Sequence, residues 1–426
     1  MFMKALSPLI FFVVVYLVAG IVAGDFYKVP ITVAFTLTSV FAIAVGKSTL
    51  SERIETFGRG AAHKNIMLMI WIFVLAGAFA QSAKQMGSID EVVNLTLSIV
   101  PPDALYIGLL LASAIVSVSI GTSVGTIVAL TPIAVGIANT TGLNVPMVTA
   151  IIVGGAFFGD NLSFISDTTV VATQTQGCKM SDKFMTNIYI ALPALILTVL
   201  LYMFLSTDMG KATNVQAPHL IKVLPYLLVI VIAILGVNVL VVLCLGILAT
   251  GVVGLLYGDY TIFSWFSAMG EGINGMGELI IVTMLAGGVL EMISVNGGIS
   301  YVMDKILKMT KSARGAEFSI AALVSFVDVC TANNTVAIIT VSGLAKEISE
   351  RFKLDNRRVA SILDTFSCIM QGILPYGAQL LMASALASCS AVDIIPYLYY
   401  PYALLLMALL AIIFRFPRLK ERVEVK

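Results

Sequence analysis

The chain is 426 residues long, 59% hydrophobic and only 12% charged, with a net charge of +1 and a mean hydropathy of +1.01. That balance excludes a soluble globular protein, and no basic run points to nucleic acid as a partner. It specifies an all-α polytopic membrane protein whose surroundings are the lipid bilayer.

A bilayer core about 30 Å thick takes about 20 helical residues to cross. Residues 6–23 form a first helix rather than a cleaved signal, because no small-residue cleavage site follows and a second apolar run begins at once. Plain spans also fit residues 29–46, 66–83, 188–205, 280–297 and 394–414. The uncharged run 223–258 is too long for one crossing and is split at Gly236-Val237-Asn238. Residues 104–138 and 316–345 are each interrupted by a polar cluster, Gly121 to Thr126 in the first and Asp328 to Thr335 in the second. Each is expected to be a re-entrant hairpin with the cluster at its tip. Residues 145–176 and 357–387 are expected to be broken helices, with breaks around residues 160–169 and 371–379. The second break contains Leu374-Pro375-Tyr376-Gly377, where a proline frees backbone carbonyls. Irregular backbone survives at membrane depth only against protein or a cavity.

Lys and Arg bias tests the hairpins. Residues 47–64 and 305–314 carry four each, and residues 346–358 and 415–426 five each. With both hairpins, these four segments and both termini share one side, which is then the cytoplasmic one. The expected fold is therefore about 10 spans plus two re-entrant hairpins in a single transporter domain, residues 1–426. Hairpin and broken helix recur at about 104–176 and 316–387, as an inverted repeat of the kind that builds secondary transporters. A shift of 209 superposes Thr122 on Thr331, Thr126 on Thr335 and Thr131 on Thr340.

Between Ala104 and Gln176 the only charged residues are Asp160 and Asp167. An intramembrane carboxylate costs about 2.5–3.5 kcal/mol on insertion scales, so two of them among hydroxyls mark a dehydrated site for a cation or proton. A hard cation takes oxygen ligands. Asp160, Asn161, Ser163, Ser166, Asp167 and Thr168 offer them in the first repeat, with Thr122, Ser123 and Thr126 from the hairpin tip; Asn333, Asn334 and Thr335 offer them in the second. Asp328 and Asp364 are candidate proton carriers. Glu278 and Glu291 are expected to be structural, and Lys179, Asp182 and Lys183 to form a solvated turn. The five cysteines show no CxxC and read as small core residues, and His63 and His219 fall in loops, so no metal centre is expected beyond the transported ion.

The stretch GGAFFGDNLSFISDTT (154–169), with GTSVGTIVALTP (121–132) upstream, resembles the signature of the NhaC-type Na+/H+ antiporter family, of the ion-transporter superfamily. The resemblance implies a cation and proton site that includes Asp160, Ser163, Ser166, Asp167 and Thr168, faced by Thr122, Ser123 and Thr126. It also implies a bacterial cytoplasmic membrane. Phe164 stands where the family often has proline, whereas Pro375 keeps the analogous place in the second repeat.

The expected function is Na+/H+ antiport by competition of the two cations for intramembrane carboxylates, with no cofactor and no enzymatic activity. The alternative is a cation- or proton-coupled carrier of a small organic solute, an amino acid or carboxylate. The lack of Lys or Arg within either repeat's membrane stretch favours the inorganic ion. An intramembrane aspartyl protease would need glycine where Phe158 stands, and a passive channel would need a path that the hairpins obstruct. A homo-oligomer is compatible with the sequence.

Overall fold

A computed structural model describes residues 6–23, 31–46, 48–101, 104–163, 166–205 and 217–417. Phe164, Lys47, most of the loop 206–222 and the tail beyond Pro417 lie outside the described residues. The first half holds α1 (Ser7–Ala23), α2 (Ile31–Val45), α3 (Leu50–Ala61), α4 (Lys64–Gln85), α5 (Ser88–Ile99), α6 (Leu105–Ile120), α7 (Ser123–Thr141), α8 (Val145–Leu162), α9 (Asp167–Gln176) and α10 (Met180–Leu205). The second holds α11 (Leu220–Ile234), α12 (Val239–Tyr257), α13 (Ile262–Gly275), α14 (Gly277–Val295), α15 (Gly298–Met309), α16 (Ala313–Thr331), α17 (Asn334–Phe352), α18 (Asn356–Ile373), α19 (Ala378–Ala387), the short α20 (Ala391–Ile394) and α21 (Tyr399–Phe414).

The two halves are built alike. α18 starts 211 residues after α8 (356 minus 145), and the same offset separates α17 from α7, α19 from α9 and α20 from α10. The caps follow it: Gly121, Gly142 and Gly177 end helices at positive φ, and so do Ala332, Lys353 and Ser388. Asn144 and Asp355 cap α8 and α18 with their side chains. The correspondence is wider than residues 104–176 and 316–387, because α3, α4 and α5 also match α13, α14 and α15 to within two residues of this offset. The threonine shift of 209 falls two residues short. In the structure Thr122 corresponds to Asn333, and each stands just before the first residue of its helix.

Among the described residues, seven helical stretches are long and apolar enough to cross a membrane, or eight if the bent Ala391–Tyr397 and Tyr399–Phe414 form one span. The count is below the expected one because α2, α6 and α11, with 15, 16 and 15 residues, are shorter apolar helices. At 1.5 Å per residue they reach only about 22–24 Å. The run 223–258 does break at Gly236, whose φ is +79°.

Buried apolar side chains from almost every helix merge into one core. α8 and α9 lie deepest within it. α6 packs against α8 through glycine: a Cβ on Gly155 would lie 2.6 Å from the Leu110 carbonyl oxygen, and one on Gly159 2.2 Å from Ser117 Cβ. The glycines of the GGAFFG stretch thus bring two backbones together. α16 and α17 turn back on each other at Ala332, since Glu317 near the start of α16 is 3.0 Å from Arg358, six residues past the end of α17. Leu105 and Ile137, from the start of α6 and the end of α7, line one cavity, so that pair also doubles back.

Candidate functional site

The first break, residues 163–166, separates α8 from α9. Asp160 sits in the last turn of α8, buried, and receives two hydroxyls. Ser123 Oγ donates to Oδ2 at 2.9 Å and Ser166 Oγ to Oδ1 at 2.5 Å. Ser166 is 2.9 Å from the Thr168 hydroxyl. Ser123 is reached from the other half, because Gln379 Nε2 donates to its Oγ at 3.0 Å. Gln371 Nε2 in turn donates to Gln379 Oε1 at 2.8 Å and to the Ala332 carbonyl at 3.1 Å. A hydrogen-bonded chain thus joins Asp160 to the turn between α16 and α17. No cationic side chain bonds Asp160 among the described residues, so its carboxyl is held by neutral donors only.

A second cluster surrounds Asp364 on α18. Lys183 Nζ lies 2.7 Å from Asp364 Oδ2, with the two side chains 1% and 0% exposed. Asn161 Nδ2 and Asn187 Nδ2 each donate to the same oxygen at 3.0 Å. Lys183 also donates to Thr169 Oγ1 at 2.7 Å and to the Asn161 carbonyl. Asn161 and Asp160 are sequence neighbours on α8, so the two clusters meet there.

One expectation needs correction. Lys183 is not part of a solvated turn: it heads into the core from the first turns of α10, while Lys179 stays exposed. A buried cation is therefore present beside the first break. Asp167 is exposed at the head of α9, where its charge complements the helix N-terminus, and it does not join Asp160.

The other candidates are dispersed. Ser163 is buried and donates to the Val118 carbonyl at 3.0 Å, and Thr126 donates back to the Thr122 carbonyl at 3.1 Å. Thr122 immediately precedes α7 and is half-buried. Asn333 caps α17 by accepting from Val336 N at 3.0 Å, and Asn334 accepts from Thr335 N at 3.0 Å, so this trio holds its own turn. Asp328 is fully buried, and neither carboxyl oxygen has a hydrogen-bond donor among the described residues. Glu291 meets Arg59 at 3.2 Å on a partly exposed surface.

Sequence reasoning missed Gln371, Gln379, Lys183 and Asn187. The last two had a signal: Lys183 and Asn187 are four apart and continue the buried stripe Ile190, Ala191, Ala194 of α10.

Comparison with known proteins places this geometry among ion transporters. The model of the Na+/H+ antiporter family matches residues 1–207 and 212–417, two blocks whose starts differ by the same 211 (212 minus 1). A Na+/H+ antiporter NhaC of Bacillus subtilis is 24% identical, over 88% of this chain and 89% of its own length. One from Alkalihalophilus pseudofirmus is 23% identical, over 91% and 89%. A malate-2H+/Na+-lactate antiporter of Bacillus subtilis is 20% identical, over 90% and 89%.

Proposed function

The chain belongs to the Na+/H+ antiporter family, and we propose that it exchanges Na+ for H+ by competition of the two cations at Asp160. The observation that carries this reading is the setting of Asp160: a buried carboxylate bonded, among the described residues, by the hydroxyls of Ser123 and Ser166. A buried charge without a counter-charge must acquire one, and a proton and a sodium ion are both small enough to arrive at such a spot. Ser123, Ser166 and Thr168 supply hydroxyl oxygens to a hard cation, while the oxygens of Asn161 face Lys183 and Asn187 in the neighbouring cluster. Asp167, exposed at the head of α9, marks the side from which water and ions reach the break. An aspartate facing lipid there would be costly. Asp328 and Asp364 serve as further proton and charge carriers. No cofactor takes part.

In the same reading α6–α7 and α16–α17 are re-entrant hairpins, and both termini face the cytoplasm. The clustered basic segments support that orientation. The malate/lactate relative supports a second reading, in which an organic solute is coupled to the ion. Against a carboxylate partner, the three donors of Lys183 are already engaged.

The test is Na+ added to proteoliposomes with an acidic lumen and a trapped pH dye. Proton efflux without any organic solute is the expected outcome. Apparent Na+ affinity should fall as pH drops, because protonation removes the ligand's charge. A strict requirement for an added amino acid or small carboxylate would move the assignment to the second reading.

A further inference from the structure

Lys183 holds a position that a free cation could hold. Its ammonium carries three protons and meets three oxygens: Asp364 Oδ2 at 2.7 Å, Thr169 Oγ1 at 2.7 Å and the Asn161 carbonyl. These come from α18, α9 and α8, that is, from both sides of the first break and from the opposite half of the chain. A helix-end carbonyl, a hydroxyl and a carboxylate make an oxygen-only set of the kind a hard monovalent cation takes. The amine itself arrives from a fourth helix, α10, on a flexible four-carbon stem.

The fold repeats this place without an ion pair. At the offset of 211, Lys183 corresponds to Ile394, Asn187 to Leu398 and Asp364 to Val153. Lys183, Asp364, Ile394 and Val153 are all buried, so the related place is filled by an isoleucine and a valine, one from each half. Replacing a buried ion pair by packed apolar residues is often neutral for stability, so an ion pair at one of the two related places and not at the other argues for a task.

We propose that the Lys183 ammonium is a tethered cation that shares the oxygens of Asp364, Thr169 and Asn161 with the transported monovalent cation. It fills the site when that cation is absent and withdraws when it binds. The proposal rests on the antiport reading and adds a cation position distinct from the hydroxyls around Asp160. Asp364 keeps one positive partner in both states. On the adjacent face of α10, Asp182 and Thr186 line a crevice of about 940 Å³ between α10 and α21.

The experiment measures the thermal midpoint of purified protein against Na+ concentration at constant ionic strength, for wild type, Lys183→Gln and Lys183→Arg. Lys183→Gln removes the competitor and should lower half-saturating Na+ by about fivefold or more. Lys183→Arg retains a bulkier permanent charge and should raise it by about fivefold or more. A purely structural residue would weaken binding in both variants, so shifts in the same direction, or both within about twofold of wild type, overturn the proposal. Should Lys183→Gln fail to fold, Lys183→Gln/Asp364→Asn neutralises both partners. Equilibrium dialysis with radioactive sodium should then show lower saturating Na+ binding than in wild type, and unchanged binding overturns the proposal. A wild type that neither gains stability from Na+ nor releases H+ in response to it refutes the antiport reading itself, and this inference with it; the variant pattern alone refutes only the inference.

Discussion

Gly77 on α4 and Gly272 on α13 touch backbone to backbone: a Cβ on Gly77 would lie 2.3 Å from the Gly272 carbonyl oxygen, and one on Gly272 2.0 Å from that of Gly77. Gly60 on α3 and Gly287 on α14 repeat the contact, at 2.5 and 2.8 Å. Because α3 corresponds to α13 and α4 to α14, this is one crossing made twice. The polar pairs beside it are duplicated too, Arg59 with Glu291 at 3.2 Å and Gln81 with Glu271 at 3.1 Å.

The obstacle at these crossings is a main-chain carbonyl, which cannot turn aside as a side chain can. Gly77→Val or Gly272→Val should therefore cost about 1–3 kcal/mol or more and lower the thermal midpoint in detergent. Gly270→Ala is the control, on the same helix with nothing within 4 Å of its added Cβ. It should be neutral or stabilising by up to about 1 kcal/mol. Equal losses at Gly272 and Gly270 would mean that the close crossing is not what glycine serves.

Asp160→Asn should abolish Na+-driven H+ efflux with protein still present in the membrane, since it removes the charge for which the cations compete. Ser123→Ala, which deletes one charge-assisted hydrogen bond, should weaken apparent Na+ affinity by about tenfold or more. Asp167→Asn should reduce affinity without abolishing exchange. Glu291→Gln touches only an exposed pair worth about 0–1 kcal/mol and should be nearly silent. Near-normal efflux in Asp160→Asn would refute the site assignment.

Single cysteines at Lys308 and Lys353, in a background without the native five, should react with an impermeant maleimide from the same side. The short distance from Glu317 to Arg358 puts both loops at one end of the α16–α17 pair. Labelling from opposite faces would rule out a re-entrant second hairpin.

Glu317 is fully buried and faces Arg358 at 3.0 Å and Arg415 at 3.6 Å, while Arg358 also donates to the Ala411 carbonyl at 2.8 Å. Glu317→Ala leaves a buried guanidinium uncompensated and should cost about 3–5 kcal/mol. Glu317→Leu/Arg358→Met should recover much of that loss. A double variant no better than the single would show that the carbonyl contacts of Arg358, rather than its charge partner, hold this end together.

Much of the site was readable from the chain because polar residues are rare at membrane depth. Asp160, Asn161, Ser123 and Ser166 stood out for that reason, and they are buried and hydrogen-bonded. Asp167 looked the same in the sequence, yet Ser166 is the extended cap that turns inward and Asp167 is the first helical residue of α9, where its side chain is exposed. Lys183 was hidden by its neighbours: beside Lys179 and Asp182 it reads as part of a polar turn, and only the face it shares with Asn187 and Ile190 points inward. The duplication was partly hidden as well. Matching threonines suggested 209, whereas capping positions, where Asn144 and Asp355 do the same work with different residues, follow 211. Side-chain identity drifts faster than the places where helices must stop.

The buried charges have a consequence for what one turnover can move. Six charged side chains are buried among the described residues: the acids Asp160, Glu317, Asp328 and Asp364, and the bases Lys183 and Arg358. Lys183 and Arg358 match Asp364 and Glu317, which leaves Asp160 and Asp328, one in each half, with no basic partner among the described residues. A low-dielectric interior does not keep such acids bare and charged, so each either holds a proton or takes a cation. If one of the two stays occupied while the other trades Na+ for H+, exchange is electroneutral and blind to voltage. If both empty on one side and only one refills on the other, each cycle carries a net charge. The membrane potential then drives it with about 2.3 kcal/mol per 100 mV.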